Sequence, residues 1–196
     1  MLGSTTTSSA MRHAPVRRST DETYRHYRLV AGQRGGGFSS VAYAGKISIF
    51  SGSGCDLEGA LDDLKGQIDR DFDTRALRRE GELPSREDLE LALTLASTKI
   101  TPSLQHLLEA LRHGPEVLPQ LVQRRSGVDE ETLMRDLVRM ARSVADILGF
   151  TLPKGTGNAA AALNLIGERI AISREANQPW VFRPGFVAAA EAHLAR

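Results

Sequence analysis

Leu133, Leu137, Met140, Val144 and Ile147 stand four, three, four and three residues apart. That spacing puts side chains on one face of an α-helix, and no strand or loop produces it over such a length. Asp129 stands just before the run, placed to cap the helix, and Glu130 and Glu131 follow in the first turn, where the helix field favours negative charge. Ser126-Gly127-Val128 reads as a turn, and a shorter helix from about Glu116 to Arg125 precedes it. Pro119 fits that helix only in its first turn, where its missing N–H breaks no bond. A short helix, a glycine turn and a capped longer helix form a helix-turn-helix, and a stripe apolar along its full length needs neighbours along its full length.

The neighbours are legible in the same half of the chain. Thr101-Pro102-Ser103 starts a helix whose buried stripe is Leu104, Leu107, Leu108 and Leu111, and His113-Gly-Pro115 stops it. Beyond Gly149 and Phe150, Thr151-Leu-Pro-Lys-Gly-Thr-Gly157 reads as a loop leading to an alanine-rich helix near Asn158 to Ile166. Arg169 to Arg174 and Pro179 to Arg183 read as two strands around the turn Glu175-Ala-Asn-Gln178, with Trp180 and Phe182 anchoring the hairpin in the core. Pro184 and Gly185 lead into a terminal helix carrying Phe186, Val187 and Leu194.

The first half has a different grammar. Tyr24 to Ala31 reads as extended, and Arg34-Gly-Gly-Gly37 breaks the run. Phe38 to Tyr43 and Lys46 to Phe50 alternate apolar and small polar residues around a hairpin turn at Ala44-Gly45, which gives three antiparallel strands. Ser51-Gly-Ser-Gly54 is expected to end the sheet. Asp56 then caps a helix in which Leu57, Ala60, Leu61, Leu64 and Ile68 form the face laid on the sheet. This strand-strand-strand-helix order over Tyr24 to Arg70 resembles the small domain of HicB-type antitoxins, a truncated ribonuclease-H-like fold. The resemblance implies a protein-binding or dimerising role for residues 24–70.

The expected class is therefore α+β, with an N-terminal three-stranded antiparallel sheet and one helix, and a C-terminal mainly helical, winged-helix-like domain. Residues 1–20, with Arg12, Arg17, Arg18 and no acid, are expected to form a flexible basic arm; Met11 is a second candidate start, and the Arg- and Ser-rich bias also suits an organellar transit peptide. Residues 21–75 make the sheet unit, 76–100 a connector and linking helix, and 101–196 the helix-turn-helix unit. Asp73 to Ser85 reads as a charged connector, and the helix after Ser85 is apolar on more than one side, which suits a segment between two bodies. No run approaches the roughly 20 apolar residues of a membrane span, so no membrane partner is expected. A single cysteine, Cys55, permits no intramolecular disulfide, and a reducing cytoplasm is the natural compartment.

Gly127-Val-Asp-Glu-Glu-Thr-Leu-Met-Arg-Asp-Leu-Val-Arg-Met140 resembles the turn and recognition helix of winged-helix bacterial regulators. The resemblance implies that Thr132, Arg135 and Arg139 face double-stranded DNA. Arg142 shares that face by spacing, and Arg169, Arg174 and Arg183 approach the backbone if the late hairpin is the wing. The departure from the pattern is the insert between recognition helix and wing. Against DNA stand a net charge of only +1, the acids at the helix start, and Asp136 and Asp146 among the arginines. The leading expectation is a sequence-specific DNA-binding transcriptional regulator that dimerises or binds a partner through its N-terminal half. The competing one is a protein-interaction or assembly factor, such as an accessory subunit of a toxin–antitoxin or restriction system, with the helix-turn-helix as scaffold only.

Chemistry is sparse. Lys154-Gly-Thr-Gly157 lacks the order of a phosphate loop and a preceding strand, so it reads as a linker. Cys55 has no His or Asn nearby in sequence to activate it. The histidines at 13, 26, 106, 113 and 193 form no i, i+4 pair of a helical metal site. No enzyme, cofactor or metal is expected.

Overall fold

The computed structural model describes residues 19–78, 83–155, 157–170 and 178–195. The mixed α+β class is present, with one difference: the N-terminal sheet has four strands, in the order β1 (Ser19–Tyr24), β2 (Tyr27–Arg34), β3 (Gly37–Ala44) and β4 (Ile47–Gly54). All neighbours are antiparallel. The extra strand arises because the run from Tyr24 does not continue straight. Arg25 adopts a left-handed backbone, φ 50°, and with His26 it turns the chain so that Tyr24 pairs with Tyr27. The β2–β3 hairpin turns at Gly35-Gly36, and the β3–β4 hairpin turns at Gly45-Lys46, one residue later than the expected Ala44-Gly45. The arm expected over residues 1–20 gives its last two residues to β1, and residues 1–18 lie outside the described ones.

Ser51 to Gly54 belong to β4 rather than ending the sheet. Their glycines serve the helix above. Helix α1 (Leu57–Arg78) is started by Asp56, whose carboxylate accepts from the Gly59 N–H at 2.7 Å. It lies so close to β4 that a Cβ on Gly52 would come within 2.8 Å of the Ala60 carbonyl oxygen and 2.7 Å of Ser40 Oγ. Gly54 abuts the backbone of Gly59 and Ala60 in the same way. From this seat α1 reaches over the outer edge of β4: Asp63 accepts from the Ser53 N–H at 3.1 Å, and Gln67 Nε2 donates to the Ser51 carbonyl at 3.0 Å. Two outward backbone groups that would otherwise template another strand are thus occupied. Leu29, Ala31, Ala42, Ala44, Leu61, Leu64 and Ile68 form the core of this half, with the Tyr27 and Phe50 rings edge to face at 5.7 Å.

Helix α1 runs to Arg78, so the first part of the expected connector is helical. Helix α2 (Arg86–Leu95) is closed at its start by a reciprocal box, the Asp88 N–H donating to Ser85 Oγ and the Ser85 N–H to Asp88 Oδ2. Its Leu89, Ala92 and Leu93 enter the second core, Leu91 packs against the sheet core, and Leu95 packs against both. After a 3-10 turn at Ser97–Lys99 come α3 (Pro102–Leu111), β5 (Glu116–Val117), α4 (Pro119–Ser126), α5 (Glu130–Leu148), α6 (Gly157–Ile166), β6 (Gly167–Arg169), β7 (Trp180–Phe182) and α7 (Pro184–Leu194). Glu116 and Val117, expected to be helical, pair instead with Val181 and Trp180. The second sheet is ordered β5-β7-β6. Trp180 and Phe182 are both buried in it, as the hairpin-anchor reading requires.

The two halves meet at the C-terminal end of α5. The tip of the Phe72 ring of α1 is seated on Gly149, where any side chain would overlap it, and the Arg25 guanidinium stacks over that ring, 4.1 Å from its centre. Arg25 Nε also donates to Asp69 at 2.8 Å, and Arg75 bridges Asp71 at 2.8 Å and Asp88 at 3.4 Å. Burial disfavours the Arg75 charge, but Asp71 and then Asp88 outweigh it and hold the pKa above the ordinary guanidinium value. The seam encloses about 20 Å³, room for about one water and no ligand.

Two stability measurements follow from this packing. In urea titrations Gly52→Ala or Gly54→Ala lowers stability by roughly 1–3 kcal/mol through overpacking. Gly66→Ala, within α1 and with open space around it, raises it by about 0.5–1 kcal/mol. The Tyr27 phenol is pushed up to about 12 from 10.0, first by burial and then by the Asp71 charge. The neutral phenol is thus favoured in the folded chain, so its contribution is intact below pH 10 and lost as pH rises to about 12. Over that window wild type loses roughly 2–3 kcal/mol more than Tyr27→Phe.

Candidate nucleic-acid interface

The geometry of α4–Gly127–α5 follows from local chemistry. Gly127 ends α4 in the left-handed region, φ 72°, and its N–H returns to the Gln123 carbonyl at 2.8 Å. Asp129 then caps α5: the Thr132 N–H donates to Asp129 Oδ1 at 2.7 Å. That backbone bond, the Thr132 hydroxyl and the Arg135 charge hold the Asp129 carboxyl below the usual aspartate range. Leu133, Leu137, Met140, Val144 and Ile147 are all buried, together with Met134, Ala141, Ala145 and Leu148. What remains for solvent is the opposite stripe.

Along that stripe Glu131, Arg135, Arg139, Arg142 and Asp146 are exposed in order from the N-terminal end. Arg135, Arg139 and Arg142 line one open groove with Val138, Ser143 and Asp146. Each arginine is steadied by a different group. Arg135 Nη2 donates to Thr132 Oγ1 at 2.9 Å, and Arg139 lies 3.5 Å from Asp136. Arg142 Nε donates to Asn158 Oδ1 at 2.5 Å, and Asn158 donates on to the Pro153 carbonyl at 3.2 Å. Asp136 offsets Arg139 through one oxygen, and its other oxygen is turned inward, accepting from the Thr101 and Ser103 hydroxyls at 3.0 and 2.9 Å. Asp146 stands at the far end, 3.7 Å from His26 Nε2 of the sheet half.

Thr132 is half-buried and holds Arg135. Arg169 is exposed at the end of β6, away from the groove lining. Arg174 lies outside the described residues. Arg183, expected to approach a nucleic-acid backbone, is instead used within the fold: its Nε donates to the Asn164 carbonyl at 2.7 Å and its Nη1 lies 4.0 Å from Glu168. Sequence reading missed Val138, Ser143 and Asn158. Val138 and Ser143 carry no charge to draw notice, and the contact of Asn158 with Arg142 depends on α6 folding back along α5.

Elsewhere among the described residues, no cluster of three or more His, Cys, Asp or Glu side chains is placed to hold a metal, and no helix is long and apolar enough to cross a membrane. Cys55 is exposed between β4 and α1. Comparison of the chain with protein-family models, with curated proteins and with solved structures finds no match.

The turn itself is testable. Gly127→Ala places a Cβ in the left-handed region and costs about 1–2 kcal/mol, while Gly127→Asn costs less because asparagine tolerates that region. Equal losses in thermal melts of the two variants would contradict the assigned role of this glycine.

Proposed function

We propose that the chain binds double-stranded DNA through the exposed face of α5, with the β6–β7 hairpin as a wing beside it, and acts as a regulator of transcription. The observation that carries this reading is the arginine groove: Arg135, Arg139 and Arg142 present three guanidinium groups on one open side of the second helix of a helix-turn-helix. Such groups match guanine edges and phosphates bidentately. The longer helix has one side held by the core and the other free, as insertion into a major groove requires. The small sheet in which β5 and β6 flank β7 places the hairpin in the same half as α5. Helix α6, inserted between α5 and the hairpin, braces Arg142 through Asn158.

The sheet half supplies the second function, dimerisation or partner binding. Tyr27, Leu29 and Ala31 point into the core, so Val30 and its cross-strand partner Val41, with Tyr43, lie on the opposite face. These apolar residues are only half-buried. A dimer built there would double the DNA contacts and fix the spacing of two half-sites. One observation favours a protein partner for the helical half instead: Leu121 of α4 is 51% exposed beside a groove that includes His106, Ala110, Val117 and Leu118.

Retention on duplex DNA at two or more salt concentrations tests the reading. Each arginine on a phosphate contributes about −0.9 to the log–log salt slope, and Arg135→Ala or Arg139→Ala reduces its magnitude by about one if the residue meets phosphate. An arginine that reads a base costs affinity for the preferred site by roughly 1–3 kcal/mol instead. No salt-sensitive retention, or unchanged binding in both variants, overturns the proposal. A stoichiometric protein partner in a preparation free of nucleic acid favours the assembly reading.

A further inference from the structure

The acids at the start of α5 are the least expected feature of a helix offered to a polyanion. Asp129 and Glu130 have ordinary structural explanations. Asp129 is the cap, and Glu130, half-buried, follows it in the first turn. Glu131 is different. It is exposed, makes no hydrogen bond or ion pair with another described residue, and stands four residues before Arg135 on the same face.

Resting on the DNA reading above, we infer that Glu131 and Arg135 are a base-reading pair, Glu131 accepting from a cytosine amino group and Arg135 donating to a guanine, while Arg139 and Arg142 meet phosphates. The division follows from how a helix sits in a major groove. Its N-terminal residues reach base edges, and phosphates line the groove walls farther out. A carboxylate repels phosphates but accepts from the N4 amino group that cytosine presents in that groove; a guanidinium donates twice to guanine O6 and N7. Glu131 and Arg135 are four residues apart on one helix face, the separation at which side chains of a helix lying along a major groove reach neighbouring base pairs. The preferred site therefore holds two neighbouring C·G pairs, one read by each side chain. Thr132 steadies Arg135 from below at 2.9 Å, leaving the rest of the guanidinium fork for guanine. Arg139 and Arg142 stand one and two turns farther from the N-terminal end, and Arg142 is tied sideways to Asn158. The acid therefore contributes discrimination and lowers affinity for every other sequence.

Selection of duplexes from a randomised pool, with the full chain and its Glu131→Gln, Glu131→Ala and Arg135→Ala variants, tests the pair. All three substitutions are at exposed positions, and unchanged helix content by circular dichroism confirms that each variant folds. Wild type enriches sites with two neighbouring C·G pairs. Glu131→Gln changes the preference at one of them and Arg135→Ala at the other, each losing roughly five- to hundred-fold discrimination there. Binding of Glu131→Gln to unselected duplex stays level or rises. If both Glu131 variants keep the wild-type preference and merely bind every duplex more tightly, Glu131 is a repulsive surface acid and the inference falls while DNA binding stands. If wild type retains no duplex at low salt, DNA binding itself fails and the inference fails with it.

Discussion

Burial of the α5 stripe is the constraint on which the rest of the molecule hangs. Helices α2, α3, α4 and α6 all pack against this one helix, and Leu133, Leu137, Met140, Val144 and Ile147 meet them from a single side. A fully buried aliphatic side chain stabilises by roughly 1.5–3 kcal/mol, and among the described helices α5 buries nine residues, against five on α2 or α3. The same commitment fixes what is left over. With one face held by the core, the opposite face and its arginines are presented to solvent in a fixed orientation, which is the property a recognition surface needs.

The C-terminal end of α5 is held with equal care. Gly149 lacks the side chain that would displace Phe72, and Phe72 is in turn covered by Arg25, which Asp69 positions. Arg75 fastens α1 to the capping box of α2 nearby. The sheet half is therefore docked on the far end of α5, beside Asp146, and leaves the N-terminal stretch from Glu131 to Arg142 open.

Local signals in the sequence succeeded where one neighbourhood sufficed. The cap at Asp129, the glycine turn at 127, the leucines of α3 and the stripe of α5 each follow from residues within a few turns of one another. The failures share a cause of the opposite kind. Arg25 carries no turn signal, yet pairing of Tyr24 with Tyr27 holds it at positive φ. Gly52 and Gly54 look like the end of a strand; they are glycines because the α1 backbone, contributed by later residues, lies against them. Glu116 and Val117 lose their helical reading to a partner strand near the other end of the chain.

The sequence alone determined the mixed α+β class, the helix-turn-helix with its capped long helix, and the shared face of Arg135, Arg139 and Arg142, because helical periodicity and capping are set by short-range sterics and hydrogen bonds. Tertiary structure decided what those residues are free to do. It shared Asp136 between Arg139 and two hydroxyls, tied Arg142 to Asn158 and committed Arg183 to the Asn164 carbonyl, leaving Glu131 and Arg135 at the open end. Spacing places side chains on faces, but which face meets solvent, and which charge is already engaged, depends on elements brought together from distant parts of the chain.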